Sequence, residues 1–522
     1  MVLTMKPATS RDFRRRGRLV RTGFLIVAIG VSLAPRTGRA ELIYFRQGGE
    51  AQLPARIEGN LVVLTMPDGE IKVARAEIRR MVPGFWPRTE WDARDRSTGP
   101  GSFEARLATA RWALDNGLTT EVAAELRELH VLEPKHQPTA RMAAILSRLD
   151  QPCDDPDFGR FQNALLIATK VARGPHVILL HQQSEAEADE RIALLERVIT
   201  GYFLVFAGQG LELTVPRKRL VSVWFADQKD YLAFLHSEGA DAFATTRGYF
   251  HPTWQSVVTF DSRGTDPQRS ARDKLELKRG EMRRFEEMVE KAPARSRLKI
   301  KLADEPVRTV GRPEAKALLA RVDDGITCET MLLDLDRRSV DLGTAAHEMI
   351  HQLAVDSRLV PRHDMFPVWL HEGLAAQFEV IRGGRWAGVS RAHDLRLPDW
   401  RRLQTSLRLE RLIRDAGFGR GYQRDLYAQA WALVYFLRIQ KPGQFLTFVD
   451  LLRNPDLDVQ PSASAAGDRV VDAFERAFGT DLERLDNEWR TFMKTVQTPL
   501  EQNAEPVEPA SKTGRLGSRA KH

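Results

Sequence analysis

The sequence predicts an α+β protein whose main domain combines a mixed β-sheet with a helical lobe. Two patterns support this class. Short apolar, strand-like runs alternate with helical segments from about residue 160, and the pattern is helical from residue 341 almost to residue 498. Hydrophobic residues make up 43% of the 522 residues and charged residues 28%. This composition is typical of a globular protein and excludes a disordered or collagen-like chain.

Residues 1–40 have the pattern of a secretory signal peptide. A basic stretch precedes an uncharged, mostly apolar run of 11 residues, Phe24 to Ala34. That run is too short for a membrane-spanning helix, which needs about 20 residues. Gly38 and Ala40 occupy positions −3 and −1 of a cut after Ala40. We expect a bacterial-type exported protein that is periplasmic, secreted or envelope-associated, with retention of the segment as an anchor as the alternative.

The net charge of +8 is confined to this leader. Its nine basic residues and one acidic residue account for the whole excess, so residues 41–522 carry 69 basic and 69 acidic residues. A basic body that neutralises phosphates is therefore disfavoured, and we expect no nucleic-acid partner. No later stretch reads as apolar enough to span a membrane, so we expect no integral span after cleavage of the leader.

Two cysteines, Cys153 and Cys328, exclude a disulfide-rich scaffold and a four-cysteine zinc site. One bridge between them stays open at this point.

Two modules are predicted ahead of the main domain. Residues 41–84 read as short alternating strands with a turn at Pro67–Gly69, which indicates a small, meander-like β-barrel. Residues 85–150 carry apolar side chains at helical spacing and predict a helical spacer. The spacer resembles a single tetratricopeptide-like helix pair, on the arrangement of Trp112, Gly117, Leu118 and Pro134.

The main domain is predicted over residues 160–498, with a helical insertion at about 264–329. The tail, 499–522, is rich in Pro, Glu, Lys and Ser and is expected to be disordered. Strands are predicted at 176–181, 220–226 and 256–261, an edge strand at 331–336, and a helix over Glu185–Val205.

The strongest chemical signal is the run His347-Glu348-Met-Ile-His351. A helix turns about 100° per residue, so the two histidines lie on one side, where both imidazoles can bind one metal. Glu348 falls on the same side and can act on water. The opposite side, which includes Leu342 and Met349, is apolar, and Asp341 is expected to cap the start of this helix.

A catalytic zinc needs a third protein ligand. Glu372 follows His351 by 21 residues in a second helical segment, and two antiparallel helices would bring it to the histidine pair. His371 points about 100° away from Glu372 and is the weaker choice. His363, in the intervening loop, is also less favoured, and His393 reads as a loop or surface residue.

HEMIHQLA followed by FPVWLHEGLAAQFE resembles the gluzincin class of zinc metallopeptidases. More closely, the chain resembles the peptidase-MA-like domains of exported bacterial proteins, including the uncharacterised domain of unknown function 1570. The resemblance covers roughly residues 160–450. It implies one Zn²⁺ held by His347, His351 and Glu372, with Glu348 as general base and Tyr427 as the group that holds the oxyanion.

The chain departs from the pattern of these relatives at two points. Ala376 stands four positions after Glu372, where relatives often keep an acidic partner for a histidine ligand, so that partner must come from elsewhere. A segment that recognises a free amino terminus is not evident either. Endopeptidase and exopeptidase activity therefore both stay open.

Two hypotheses for the function follow. The first is an exported zinc-dependent peptidase that hydrolyses peptide bonds of a polypeptide or peptide substrate by a metal-activated water. An exposed strand, 256–261 or 331–336, would pair with the extended substrate. The second is a non-catalytic binding or assembly protein of the envelope, with a protein partner and a structural zinc site. The intact Glu348 favours the first, since a structural site needs the ligands but not the base.

Overall fold

The computed structural model describes residues 7–8, 39–46, 50–66, 69–83, 87–98, 101–301, 307–360, 366–382, 384–389, 391–403, 406–418, 424–453 and 463–502. The structure is mixed α+β, as the sequence predicts.

The strands are β1 (Pro7–Ala8), β2 (Arg39–Phe45), β3 (Glu50–Glu58), β4 (Leu61–Met66), β5 (Gly69–Ala74), β6 (Ile78–Pro83), β7 (Lys170–Arg173), β8 (Val177–His181), β9 (Leu220–Phe225), β10 (Gly248–His251), β11 (Ser256–Phe260), β12 (Arg297–Ile300), β13 (Arg308–Gly311), β14 (Ile381–Arg382) and β15 (Arg385–Trp386). The helices are α1 (Pro87–Thr98), α2 (Phe103–Asp115), α3 (Thr119–Leu132), α4 (Gln137–Leu149), α5 (Gly159–Ala164), α6 (Glu185–Gln209), α7 (Gln228–Ser237), α8 (Asp266–Lys291), α9 (Arg312–Asp356), α10 (Val368–Ala375), α11 (Arg396–Arg402), α12 (Leu409–Leu412), α13 (Arg424–Gln440), α14 (Pro442–Arg453), α15 (Ala463–Phe478), α16 (Leu482–Thr495) and α17 (Pro499–Gln502).

The N-terminal β module is an antiparallel sheet in the order β5-β4-β3-β2-β6. It does not close into the predicted barrel, since β5 and β6 lie at opposite edges. Its apolar face is covered by the middle of α9, where Cys328 and Met331 pack against buried residues such as Phe45 and Val62. Covering one face with a helix buries the apolar side chains, so the sheet can stay open.

The predicted leader lies outside the described residues except for Pro7–Ala8, which pair with β12, and the first two residues of β2. A cut after Ala40 would leave residues 41–45 of β2 in the sheet. The first two residues of the predicted Pro67–Gly69 turn also lie outside the described part of the chain.

The second sheet has the order β10-β11-β9-β8-β7. Its three central strands β8, β9 and β11 are parallel and almost wholly buried, which explains their continuous apolar sequences. They coincide with the three predicted strands. Since β11 pairs on both sides, it has no free edge, so residues 256–261 cannot receive a substrate strand as predicted. The edge beside it is β10.

Helix α6 lies within the largest apolar core. By length and composition it could cross a membrane, with a mean hydropathy of 1.3 over an 18-residue window, so the prediction that no later stretch is apolar enough was wrong. However, 67% of that window is buried inside the fold, where Tyr202 and Phe206 pack among core residues. A buried core helix passes the same test of hydropathy as a membrane span.

The 45-residue helix α9 contacts the N-terminal β module, the second sheet, the β12–β13 hairpin and the helices α6, α8 and α10. Its first half packs on α8 and the β12–β13 hairpin through an apolar cluster that includes Leu275 and Leu318. The predicted insertion at 264–329 is therefore helical only in part. Residues 331–336 are not an edge strand but lie inside α9, because Met331, Leu332 and Leu335 share a face packed against the β module. Asp341 also lies inside α9 and is not an N-cap.

Beyond α9, the helices α10 to α16 build the helical lobe around the fully buried Trp369, Trp431 and Trp489. The predicted disordered tail begins with the helix α17, and residues 503–522 lie outside the described residues. Cys153 and Cys328 are both free and buried, so the two cysteines form no bridge.

Candidate metal centre

The structure brings together His347, His351 and Glu372. One ligand atom from each of the three lies within 4.8 Å of the others. The Nε2 atom of His347 is 3.0 Å from Oε2 of Glu372, and Nε2 of His351 is 3.7 Å from Oε1 of the same carboxylate. The i, i+4 spacing on α9 places both imidazoles on the side that faces α10.

Two local features place Glu372. The carboxylate of Asp415 accepts hydrogen bonds from the backbone N–H groups of Val368 (2.8 Å) and Trp369 (2.9 Å), the free donors at the start of α10. One residue after Glu372, Gly373 lies against α13: a Cβ atom there would meet the carbonyl oxygen of Ala430 at 2.5 Å. Any larger residue would push α10 away from α13, so this glycine fixes the position of the carboxylate.

Glu379 supplies the acidic partner that is missing at Ala376. Its Oε2 atom accepts a hydrogen bond from Nδ1 of His347 at 2.7 Å. Its Oε1 atom lies 2.8 Å from Nε2 of His393 and 2.9 Å from Nε of Arg396. An ionised carboxylate only accepts, so Nδ1 of His347 carries a proton and Nε2 is left to face Glu372.

His393 lies in a loop, one of the two predicted placements, but it is not a surface residue. It is 5% exposed and belongs to the shell that holds Glu379. Sequence reasoning missed Glu379 because it sought the partner one helical turn after Glu372, whereas α10 ends at Ala375 and the chain turns back before residue 379. The one available signal was its presence at the end of the FPVWLHEGLAAQFE segment.

The charges of the centre follow from these contacts. Burial alone would raise the pKa of Glu372, but the neighbouring His351 and His347 outweigh it and hold the pKa below its usual range. Burial likewise opposes ionisation of Glu379, yet Arg396, His347 and His393 outweigh it and hold its pKa well below the usual range. For His347, burial lowers the pKa, and the hydrogen bonds with Glu372 and Glu379 raise it well above 6.5. Both carboxylates are therefore ionised at neutral pH.

Glu348 differs from these two carboxylates. Its side chain is buried, with 8% of the residue exposed, and among the described residues it has no hydrogen-bond or ion-pair partner. Burial raises the pKa of Glu348, with His347 and His351 acting against the shift.

Tyr427 lies on α13, half-buried, and its ring stands over the guanidinium of Arg396 at 5.6 Å. Through Arg396 it touches the shell of Glu379, and it is not one of the three clustered ligands. His371 is buried, and its ring centroid is 5.8 Å from that of His351. It also lies outside the ligand cluster. His363 falls outside the described residues.

The donor set fits zinc. Two imidazoles and one carboxylate match the three protein ligands of a catalytic zinc site, and the hydrogen bond from Nδ1 of His347 to a carboxylate is the usual outer contact of such a ligand. With two neutral imidazoles and one ionised carboxylate as ligands, a Zn²⁺ ion would keep a net charge of +1. The ionised carboxylate of Glu379, hydrogen-bonded to His347, lies next to that charge.

Residues 341–456, from the second half of α9 to just beyond α14, match an uncharacterised family described as protein of unknown function (DUF1570). No curated protein matches the chain.

Proposed function

We propose that the protein is an exported, zinc-dependent peptidase of the gluzincin type. The observation that carries the proposal is the pairing of a three-ligand cluster with a separate buried carboxylate, Glu348, that has no structural partner among the described residues. A buried carboxyl without a partner costs stability. A purely structural zinc site does not need such a group, whereas hydrolysis does.

The ligand arrangement supports the gluzincin type over other zinc peptidases with the same His-pair motif. In that class the third ligand is a glutamate on the helix after the histidine pair, and Glu372 lies on α10, directly after α9. The mixed sheet beside α9 agrees with the peptidase-MA-like resemblance. The proposed likeness of the spacer to a tetratricopeptide pair is supported by the contact between α2 and α3, which a short turn joins.

The residues divide the chemistry of peptide hydrolysis among them. Zinc, when bound, supplies the Lewis acidity that polarises a carbonyl and makes a water more acidic. Glu348 accepts the proton of the attacking water and then delivers it to the leaving amine. Glu379 keeps the proton of His347 on Nδ1, which fixes the orientation of that ring.

The edge strand β10 is the segment we assign to an extended substrate. Among the described strands it pairs only with β11, and its four residues are buried beside α9. An extended substrate would add to the other edge of this strand. It lies against α9: a Cβ at Gly248 would meet Thr344 at 3.0 Å, and Nε2 of Gln352 donates to the carbonyl oxygen of Gln255, next to β11, at 2.7 Å. These contacts hold the strand beside the half of α9 that carries the histidines.

We also propose where the protein acts and what it binds. The leader pattern supports delivery to the periplasm, the envelope or the medium, with a peptide or polypeptide substrate and no nucleic acid. The balanced charge of residues 41–522 agrees with recognition by a local cleft.

The test compares the exported wild-type protein with Glu348→Gln, a change that preserves shape but removes the base. We expect about one zinc per chain in both proteins and a loss of cleavage of a denatured-protein pool of about 10²–10⁴-fold in the variant. Glu410→Gln, on the exposed side of α12, serves as the matched control and should cleave normally. Equal cleavage by wild type and Glu348→Gln would refute the mechanism. Zinc binding with no cleavage by the wild type would instead favour the non-catalytic envelope protein.

Tyr427 is proposed as the donor to the oxyanion of the tetrahedral intermediate. Removal of one such donor typically costs about 10²–10³-fold in turnover. Tyr427→Phe, measured in the same cleavage assay, should therefore lower turnover at unchanged zinc content. A change of less than about twofold would restrict Tyr427 to packing against Arg396.

A further inference from the structure

A cleft separate from the metal centre lies between the helical spacer and the β14–β15 hairpin. Its volume is about 660 Å³, including the solvent at its mouth. The walls come from β3, the start of α1, the α2–α3 turn, the start of α3, one residue of α6, the β14–β15 hairpin and the segment after it.

The lining of this cleft is strongly basic. Five arginines line it and a single acidic residue, Glu121, does so. The excess is unusual because residues 41–522 are balanced in charge as a whole. The arginines are Arg88, Arg197, Arg382, Arg385 and Arg391.

The acidic neighbours satisfy only part of this charge. Arg88 pairs with Glu121 and Asp92, and the Nη2 atom of Arg382 pairs with Asp394 at 2.6 Å. Arg197 has no hydrogen-bond or ion-pair partner among the described residues. Burial, and then the like charge of Arg385, lower the pKa of Arg197. The cleft thus holds cations that repel one another.

Arg382 adds a second, independent sign of a missing ligand. Its side chain is 8% exposed, yet its Nη1 atom is buried with no hydrogen-bond partner among the described residues. A buried guanidinium N–H without an acceptor is costly, since it has lost its water and gained nothing in return. Because this atom is sealed from solvent, an anion would become its acceptor only after the Arg382 side chain shifts toward the cleft.

The start of α3 completes the site. This 14-residue helix begins at Thr119, and its N-cap residue Leu118 offers no side-chain acceptor to the first turn. Thr119, Thr120 and Glu121 line the cleft. The free N–H groups and the positive end of the helix dipole both favour an anion there.

The walls of the cleft are held rigidly by two glycines at positive φ. A Cβ at Gly117 would meet the carbonyl oxygen of Trp386 at 2.4 Å, and one at Gly388 would meet that of Asp115 at 2.1 Å. The backbones of the α2–α3 turn and of the segment after β15 therefore touch. This contact keeps the arginines of the hairpin facing the start of α3.

We propose that this cleft binds a phosphate-bearing small molecule. A planar guanidinium group can donate two parallel hydrogen bonds to two oxygens of one phosphate. The start of a helix adds backbone N–H donors. Together these donors favour a phosphate over a single carboxylate. No ligand or outer contact of the candidate metal centre lines this cleft, so the inference goes beyond the proposed peptidase activity.

The experiment is a calorimetric titration of the full-length protein with inorganic phosphate and pyrophosphate at constant ionic strength, with citrate as the carboxylate comparison. We expect saturable binding, tightest for pyrophosphate. Arg197→Gln should weaken it about tenfold, and Arg197→Gln with Arg385→Gln further, because each change removes a charge-assisted contact. Arg411→Gln, an exposed arginine outside the cleft, should leave binding unchanged.

Thermal unfolding of each variant verifies the fold. Arg197→Lys keeps the charge but loses the paired donors, and it should weaken pyrophosphate binding in a fully folded protein. The inference is overturned by absence of saturable phosphate or pyrophosphate binding to the wild type, by tighter binding of citrate, or by equal affinity in the wild type and the folded Arg197 variants.

Discussion

Two groups of buried charges lie on α9, about two turns apart, and they are built in opposite ways. In the first, which we call the Arg337 cluster, Nη1 of Arg337 lies 3.1 Å from Asp341 and 3.4 Å from Asp261. Arg263 lies 2.8 Å from the other oxygen of Asp261. In the second, the candidate metal centre, the ligands face one another and the carboxylate of Glu348 has no partner among the described residues.

This difference suggests different roles for the two groups: the Arg337 cluster stabilises the fold, and the metal centre is the candidate reactive site. Each aspartate of the Arg337 cluster is bound to an arginine, and the cluster fastens α9 to the end of β11. The metal centre contains three carboxylates, those of Glu348, Glu372 and Glu379, but only one guanidinium, that of Arg396. Glu348 is not paired with any cation among the described residues. Buried charges without full compensation are a frequent mark of functional sites. We therefore expect changes in the first group to alter the free energy of unfolding and changes in the second to alter metal binding and activity.

The largest expected effect on stability follows from Arg337→Met. The change leaves the carboxylates of Asp261 and Asp341 buried with weaker compensation, and removal of one partner of a buried pair costs about 3–5 kcal/mol. Urea unfolding measures the loss. Arg321→Met, an exposed position on the same helix, should stay within about 0.5 kcal/mol of the wild type. If Arg337→Met is as stable as the wild type, the Arg337 cluster does not stabilise the fold, and the proposed difference between the two groups of charges is wrong.

Glu379→Gln is expected to act on zinc rather than on folding. The amide can no longer hold the proton of His347 on Nδ1 as a carboxylate does, and outer-shell changes of this kind typically cost about 10–100-fold in metal affinity. Competition with a chromophoric chelator gives the affinity, and Glu410→Gln provides the control. If zinc affinity is unchanged, Glu379 is a packing residue and the description of the outer shell is wrong.

The smallest effect is expected at Asp356, a half-buried carboxylate at the last residue of α9. Burial raises its pKa from 3.8 to about 6, and the negative end of the helix dipole also disfavours its charge. The folded state thus binds this proton more tightly than the unfolded state. Its contribution to stability is complete below about pH 4, falls as the pH rises to 6, and is lost above.

Asp356→Asn should remove the loss of stability that ionisation of Asp356 causes at high pH. We expect a gain of about 1–2 kcal/mol at pH 8 and almost none at pH 4. Thermal unfolding across this pH range measures the difference, with the exposed Asp273→Asn as the control. A variant that is less stable than the wild type at pH 8 would show that Asp356 has a stabilising partner when charged.

The second half of α9, which carries His347 and His351, was predictable from sequence because helical spacing directly determines which side chains share a face. His347, His351 and Glu372 therefore come together, although their binding of zinc stays a prediction. The central strands were also predictable, since residues buried on both faces produce continuous apolar runs. Glu379 and His393 reach the centre through turns outside any helix, and no periodicity records where such turns lead.

The failures have a similar cause. Residues 331–336 form a short apolar run with acidic residues at 334 and 336, which fits an edge strand as well as a helix. Only the packing of the β module on α9 decides for the helix. Asp341 looks like a helix cap because its polar side chain precedes an apolar run. Its arginine partner is one turn earlier on a helix whose start, at Arg312, is far upstream.

The most direct test of the metal centre is diffraction from crystals of the zinc-loaded protein on both sides of the zinc absorption edge. We predict one strong anomalous peak at about 2.0–2.2 Å from Nε2 of His347, Nε2 of His351 and the carboxylate of Glu372. The absence of a peak there, or a peak bound instead by His371 or His393, would contradict the account.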